Sequence, residues 1–314
     1  MKKRIGIIGL GDIAQKVYLP LLSANEQVEI VGLSSRTTAT VTKVADQYRI
    51  GGRFDSLEDL LKVKPDAVFI HSPTETHYEI VMDCLKQGVA VYVDKPLSYS
   101  LAESAAMAEF ALKQEILLAV GFNRRFAPMY LRSKAWLEEA GGFEQCTVTK
   151  HRTKLQKHSA RHTLHDDLIH MLDLLLWLGG DKHEILHYAQ QTDEAGRLLI
   201  GTGSLAFTNG DQRSGTRYGQ FSMVRRAGSD LEKLELHGSF RSAEVVNMDS
   251  AILSASTASP QISSFGSWDG VLHRRGFAGI VDHFIHCLDH PEACSVSAAH
   301  VLAVHELADR LSPS

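Results

Sequence analysis

The sequence has little of what marks several protein classes. Its four cysteines, Cys84, Cys146, Cys287 and Cys294, are scattered, and no C-x-x-C occurs. That pattern argues against a disulfide framework and predicts reduced, mostly buried thiols in a cytoplasmic protein. Cys287 and Cys294 are near enough to pair, but free thiols are the simpler expectation. Charge of one sign is also lacking: the net charge is −4, with no long basic stripe, so no nucleic-acid partner is expected. No apolar run is long enough to span a bilayer. The strongest, Met171-Leu-Asp-Leu-Leu-Leu-Trp-Leu178, is interrupted by Asp173, and no membrane association is expected. After Lys2-Lys3-Arg4, the apolar stretch contains Gly6, Gly9 and Gly11 and meets Asp12, too broken for a secretion signal. No internal repeat is visible. The mild Ser/Thr bias from Ala251 to Ser264 reads as a flexible surface segment.

What is present begins almost at once. Arg4-Ile-Gly-Ile-Ile-Gly-Leu-Gly-Asp-Ile-Ala14 is an apolar, β-favouring run that reaches a G-x-G-x-x-A pattern and continues into a helix-compatible segment. Gly9 permits the tight turn, Gly11 lets the backbone approach a pyrophosphate, and Ala14 lets the helix pack close. Free N–H groups at the helix start, over Asp12, Ile13 and Ala14, would receive the phosphates. A tight strand–helix connection without a ligand is the plainer reading, but the strand–turn–helix context favours dinucleotide binding.

The first 120 residues alternate between two periods. Strands are expected at Val28–Leu33, Ala67–Ile70, Val89–Val93 and Ile116–Val120; helices at Thr38–Tyr48, Ser56–Leu61, Tyr78–Lys86 and Ser100–Lys113. Strands apolar throughout belong to a parallel sheet covered on both faces, so residues 1–120 read as a doubly wound dinucleotide-binding domain. Residues 121–314 read as an α/β domain. A strongly apolar helix is expected from about Asp166 to Leu178, followed by short β-like runs at Leu198–Ile200, Ser204–Phe207, Gly219–Val224, Leu234–His237 and Glu244–Val246. Turn signals such as Asn209-Gly210 between some of them imply an antiparallel sheet. Ser254 to Ser267 reads as a loop, and helices close the chain at Phe277–Asp289 and Ser297–Leu311.

Four constellations carry chemistry. At the end of the second strand stands Ser34-Ser35-Arg36, with no carboxylate to bind the ribose hydroxyls of NAD. The guanidinium fork of Arg36 suits a phosphate, which favours NADP over NAD, unless Arg36 only covers the next helix. Asp94-Lys95-Pro96 follows another strand, where ligands of an open parallel sheet lie; Lys95 there can donate to a substrate oxygen, or be a plain surface lysine. His71-Ser72-Pro73-Thr74-Glu75-Thr76-His77 ends a third strand, and the hydroxyls of Thr74 and Thr76 are expected to cap the following helix while the backbone lines the same cleft. Finally, Asp166, His170, Asp173 and Trp177 fall on one stripe of the apolar helix. Carboxylates and a histidine are costly there unless satisfied, and Asp166 one turn from His170 can orient the ring as a general base requires. A satisfied core histidine is the plainer alternative. The nearby His158, His162, His165, Asp166, Asp167 and His170 could ligate zinc in principle, but the basic segment Lys150–Lys157 opposes a divalent cation, and no metal is assigned.

Together these residues resemble the Gfo/Idh/MocA family of NAD(P)-dependent oxidoreductases. The glycine turn, Pro73 to His77, Asp94-Lys95-Pro96 (the family usually has Glu-Lys-Pro), Gly121-Phe-Asn-Arg-Arg-Phe-Ala-Pro128 and the D-x-x-x-H-x-x-D helix follow in the family's order. Within it the chain looks most like the MviM-like oxidoreductases of bacteria. The resemblance implies a Rossmann domain followed by an α/β domain with an open, mostly antiparallel sheet, a face of which supports homodimers or homotetramers. It implies a cofactor bound by Gly9, Gly11, Asp12, Ile13, Ala14, Ser34, Ser35, Arg36, Ser72, Pro73, Thr74, His77, Asp94, Lys95, Asn123 and Arg124. It also implies a catalytic set of Lys95, Asp166 and His170, acting on a sugar, polyol or similar small substrate. Two other classes remain: a nucleotide-binding sensor or regulatory protein of the same fold without turnover, and a metal-dependent hydrolase using the His/Asp patch.

Overall fold

The computed structural model describes residues 1–208 and 215–312. The chain divides into two compact units, residues 1–122 with 277–305, and residues 123–276 with 306–314.

The first unit is built on six strands, β1 (Lys3–Ile8), β2 (Val28–Ser34), β3 (Arg53–Phe54), β4 (Ala67–Ile70), β5 (Ala90–Val93) and β6 (Leu118–Val120). Their order is β3-β2-β1-β4-β5-β6 and every pair is parallel. The order reverses between β1 and β4, which puts the ligand-binding crevice of such a sheet at their carboxyl ends. The expected elements are where the period placed them: the helices are Thr38–Tyr48, Leu57–Lys62, His77–Lys86 and Leu101–Lys113. Ser56 and Ser100 cap two of them, accepting from the N–H groups of Asp59 and Glu103.

The return of residues 277–305 to this unit departs from the expected boundary at residue 120. The cause is a core contact. The helix Phe277–Cys287 buries Ile280, Val281, Phe284 and Ile285, and Phe284 meets Phe69 and Tyr92 at ring distances of 5.2 and 5.4 Å. Sequence periodicity reports that a helix has an apolar face, not which core receives it.

Among the described residues the second unit holds eight strands: β7 (Gln145–His151), β8 (His183–Thr192), β9 (Leu198–Thr208), β10 (Thr216–Val224), β11 (Leu231–Gly238), β12 (Arg241–Val246), β13 (Ser250–Ala255) and β14 (Ala258–Ser264). The order is β14-β13-β12-β11-β7-β10-β9-β8, antiparallel except for β10 with β7. Cys146, Val148, Leu205, Phe207, Phe221, Met223, Leu234, Leu236, Ala243, Val245, Ala251 and Leu253 are buried. The helices Pro128–Glu138 and Ile169–Gly179 pack on this sheet. The register aligns Ile200, Val224 and Ser222, then Thr149, Lys233, Val246 and Ser250, on the other face.

Three expectations change here. Ser254 to Ser267 is mainly the β13–β14 hairpin, not a loop; its small polar residues serve a strand whose side chains are largely exposed. Leu198 to Phe207 is one strand, because Gly201 and Gly203 continue it; a Cβ on Gly203 would lie 2.5 Å from Phe221 and 2.7 Å from the His187 carbonyl. The apolar helix begins earlier than Asp166: Ala160–Thr163 leads into a π-helical turn, Leu164–Leu168, before Ile169–Gly179. The Asn209-Gly210 turn lies outside the described residues. No helix among them is long and apolar enough to cross a membrane.

Candidate functional site

The first unit gathers its predicted residues along one rim. Gly9 has φ +82°, the left-handed region, and a Cβ there would lie 2.5 Å from the backbone of His71 and Ser72. Only glycine fits so close an approach of two strand ends. A Cβ on Gly11 would meet nothing within 4 Å, so that flank is open. The first helical bond runs from the Gln15 N–H to the Gly11 carbonyl, 3.1 Å. The N–H groups of Asp12, Ile13 and Ala14 therefore precede the helical ladder, and Asp12 and Ile13 are exposed while Ala14 is buried. These features fit a dinucleotide pyrophosphate.

Next to this turn, the Gly9 N–H donates to the Ser34 carbonyl at 3.0 Å, tying β1 to the end of β2. Ser34 is buried, Ser35 half-buried and Arg36 exposed. No ion pair engages Arg36 among the described residues, so its guanidinium is available to an anion.

On the other side of β1 stand the ends of β4 and β5. Asp94 follows β5, and Lys95, half-buried, is joined to Pro96 by a cis peptide bond. Asp94 accepts from His71 Nδ1 at 2.9 Å. Tyr18 stacks on His71 with ring centroids 4.1 Å apart and meets the Tyr92 hydroxyl at 2.9 Å. His77, 1% exposed, sits between two loops: Nδ1 lies 3.0 Å from the Pro96 carbonyl and Nε2 3.0 Å from the Ser72 carbonyl. A neutral imidazole donates to only one of these at a time. Burial holds its pKa below the usual value, against the pull of Asp94 and the carbonyls. His77 thus joins the Ser72–Thr74 segment to the turn that carries Lys95. The expected capping by Thr74 and Thr76 does not occur. A 3₁₀ turn, Thr74–Thr76, precedes the helix, neither start has a side-chain cap, and the Thr76 hydroxyl lies 2.7 Å from both Ser72 Oγ and the Pro73 carbonyl.

The second unit carries Asn123, Arg124, Asp166 and His170. Asp166 lies within the π-helical turn and is half-buried; His170, 6% exposed, lies one residue past the Ile169 N–H that closes that turn on the Leu164 carbonyl. A widened turn of this kind is frequent at functional sites. Asp173, on the same stripe, is fully buried and accepts from Arg125 at 2.6 and 2.9 Å. Burial lifts its carboxyl above the ordinary range despite that partner. Trp177 packs under the Lys134 ammonium at 5.5 Å. Asn123 donates through Nδ2 to the Arg275 carbonyl at 2.7 Å, and Arg124 makes a two-pronged pair with Glu232, 2.8 Å on each arm. That commitment ties Arg124 to the second unit's own interior.

Around it runs an ion network that motif reading did not register. Lys150 contacts Asp167 and lies 3.8 Å from Glu232; Arg225 pairs with Asp167, and Arg152 with Glu232. Lys150, Arg225 and Glu232 are each at most 5% exposed. Burial would raise the Glu232 carboxyl, but Arg124, Lys150 and Arg152 pull it well below the ordinary range. Burial and Arg124 bring the Lys150 ammonium down to about 7, against Glu232 and Asp167. The one available signal was the isolated carboxylate in Leu231-Glu-Lys-Leu234, an inward position of β11.

Comparison with known proteins agrees with this architecture. Residues 3–122 match the model described as "Oxidoreductase family, NAD-binding Rossmann fold", and residues 128–255 match "YceM-like, C-terminal domain". The candidate oxidoreductase YceM of Salmonella typhimurium is 33% identical over 98% of this chain and 96% of its own length. The crystal structure of a dehydrogenase (MviM) from Clostridium difficile superposes with a TM-score of 0.89 at 32% identity, covering 99% of both chains. The scyllo-inositol 2-dehydrogenase (NAD(+)) of Bacillus subtilis is 26% identical over 79% of this chain and 72% of its own. Likeness to YceM from end to end carries the family as well as the fold, and this chain belongs to the Gfo/Idh/MocA oxidoreductases.

Proposed function

We propose that the protein is an NAD(P)-dependent dehydrogenase or reductase acting on a CH–OH group of a small polyhydroxylated substrate, a sugar, polyol or derivative. The observation that carries this reading is the joint placement, in one unit, of the open Gly11 flank after β1 and the Asp94-Lys95-Pro96 turn after β5, on the same edge of the parallel sheet with only β4 between them. The nicotinamide, when bound, accepts or returns hydride at the substrate carbon. The chain supplies the acid–base work. His170 takes the hydroxyl proton during oxidation and returns it during reduction, Asp166 orients its ring, and Lys95 donates a hydrogen bond to the substrate oxygen. The exposed guanidinium of Arg36 favours NADP over NAD. The polyol assignment draws on the inositol dehydrogenase relative. The outer sheet face of the second unit, where Ile252 pairs with Ile262 and both are exposed, is proposed to join copies into a homodimer or homotetramer. The setting is proposed to be cytoplasmic.

The test is absorbance of the reduced nicotinamide with a panel of polyols and aldoses, NAD and NADP being supplied separately. Turnover with a polyhydroxylated substrate is expected. Tight cofactor binding with no turnover on any member would instead favour a nucleotide-binding sensor of the same fold.

A further inference from the structure

At the far end of the helix Phe277–Cys287 lies a cluster that the proposed chemistry does not use. His283 and Cys287 are one helical turn apart, and Cys294 returns beside them before the helix Ala298–Leu311 begins. One donor atom from each of His283, Cys287 and Cys294 lies within 4.8 Å of the others. This is the one such group of three metal-ligating side chains among the described residues. All three belong to the first unit.

The dimensions are those of a soft-metal site. Zinc binds thiolate sulfur at about 2.3 Å and imidazole nitrogen at about 2.0–2.1 Å in a tetrahedron, which sets the N···S edge at about 3.6 Å. His283 Nε2 stands 3.6 Å from Cys287 Sγ. Nε2 also accepts the Ser295 N–H at 3.1 Å. That bond marks Nε2 as the unprotonated nitrogen, the tautomer that ligation requires, and a bound cation would take its lone pair in place of the exposed Ser295 N–H. The two cysteines are 0% and 1% exposed, whereas His283 is half-buried and Ser295 exposed, so entry is from one side. The cysteines are free, and burial lifts both thiols, Cys294 to about 12.

We infer that His283, Cys287 and Cys294 form a binding site for a thiophilic cation, zinc being the probe that fits their spacing. Binding expels two thiol protons to solvent and leaves Zn²⁺ with two thiolates and a neutral imidazole, a site without net charge that a buried position tolerates. No electron transfer is involved, and water completes the fourth position. The cation would clamp the 288–297 connection onto the helix that precedes it.

The experiment uses the reduced full chain under exclusion of oxygen. Zinc affinity is measured by competition with a chromophoric chelator, and cobalt(II) is titrated as a spectroscopic stand-in. One equivalent is expected, with a thiolate-to-cobalt charge-transfer band. Cys287→Ser, Cys294→Ser and His283→Gln should each weaken zinc binding by about tenfold or more. His286 and His290 form an exposed imidazole pair, with ring centroids 4.8 Å apart, that could collect metal on its own. The double variant His286→Gln/His290→Gln should bind zinc as the wild type does. Absence of the charge-transfer band in the wild-type chain would overturn the inference without relying on any variant's folding. So would undiminished zinc binding by Cys294→Ser, or loss of binding in the His286/His290 variant.

Discussion

His71 donates from Nδ1 to Asp94 Oδ2 across 2.9 Å, joining the end of β4 to the turn after β5. The His71 side chain is fully buried, and the carboxylate accounts for its one hydrogen bond, Nε2 having no partner among the described residues. Where the family usually has glutamate, Asp94 is one methylene shorter, and its partner in this chain is this histidine. Asp94→Ala should strip the buried N–H of its acceptor and destabilise the protein by about 1–3 kcal/mol. Asp94→Asn, which keeps an acceptor oxygen, should recover most of that loss. Urea unfolding of both variants checks this; equal midpoints for the two would deny the pair its role.

Lys95 follows directly on that turn. Lys95→Ala should lower kcat by about 100-fold or more, the scale of losing a positioned donor to a reacting oxygen, and leave cofactor affinity within about threefold. The two readouts are steady-state turnover and nucleotide fluorescence titration. Loss of nucleotide binding with turnover per bound cofactor unchanged would move Lys95 from the reacting centre to the cofactor.

Arg36 is exposed, and no ion pair engages it among the described residues. If it meets the 2′-phosphate, Arg36→Ala should weaken NADP binding by about tenfold or more, the scale of a charge-assisted bond of ~1.5–3 kcal/mol, with little change for NAD. Calorimetric titration of both nucleotides decides. An equal loss on both would leave Arg36 as a stacking or covering residue.

His305 sits behind the same turn. Its Nε2 accepts the Leu97 N–H at 2.9 Å and its Nδ1 lies 3.1 Å from the Val301 carbonyl, so the neutral ring satisfies both neighbours. Burial lowers its pKa to about 4. In the unfolded chain the value is about 6.5, so between those limits the unfolded state holds a proton that the folded state lacks. Stability is therefore complete above about pH 6.5 and falls with pH, by roughly 3 kcal/mol at pH 4. Urea midpoints of the wild type should drop across this window, and those of His305→Gln should drop less. Parallel pH profiles for the two would count against a neutral buried His305.

The first unit was legible because its signals are local. A strand such as Ala67–Ile70 is apolar at every position, and Ser56 and Ser100 announce helices that their hydroxyls then cap. The glycine turn was legible for the same reason. The hairpin of β13 and β14 was not: its residues are small, polar and exposed on one side, which is also the composition of a loop. The catalytic candidates Asp166 and His170 were visible as polar residues in an apolar run, but the π-helical turn between Leu164 and Leu168 leaves no trace in spacing. The buried ion network escaped altogether. Lys150 opens a basic segment that reads as solvated charge, yet it is 3% exposed, and its partner Glu232 is distant in sequence. Pairing of that kind is a product of strand order, β11 beside β7, rather than of any local pattern.

That network gives the second unit its own dependence on acid. Glu232 is 3% exposed and holds Arg124 by both arms, with Arg152 and Lys150 also against it. Its folded pKa lies well below the ordinary value, and in the unfolded chain a glutamate titrates near about 4.3. The contribution is thus fully present above about pH 4.3 and is lost as pH falls toward the folded value. Glu232→Gln leaves the buried Arg124 guanidinium without its counter-charge, which should cost about 3–5 kcal/mol at pH 7. It should also flatten the acid limb of the stability profile, leaving the part that belongs to Asp167, whose carboxyl Lys150 and Arg225 hold low against burial. Thermal and urea unfolding of wild type and Glu232→Gln from pH 7 to pH 3 provide the measurement. A variant with the wild-type midpoint at neutral pH would mean that the network is neutral for stability and that Arg124 is held by its surroundings instead.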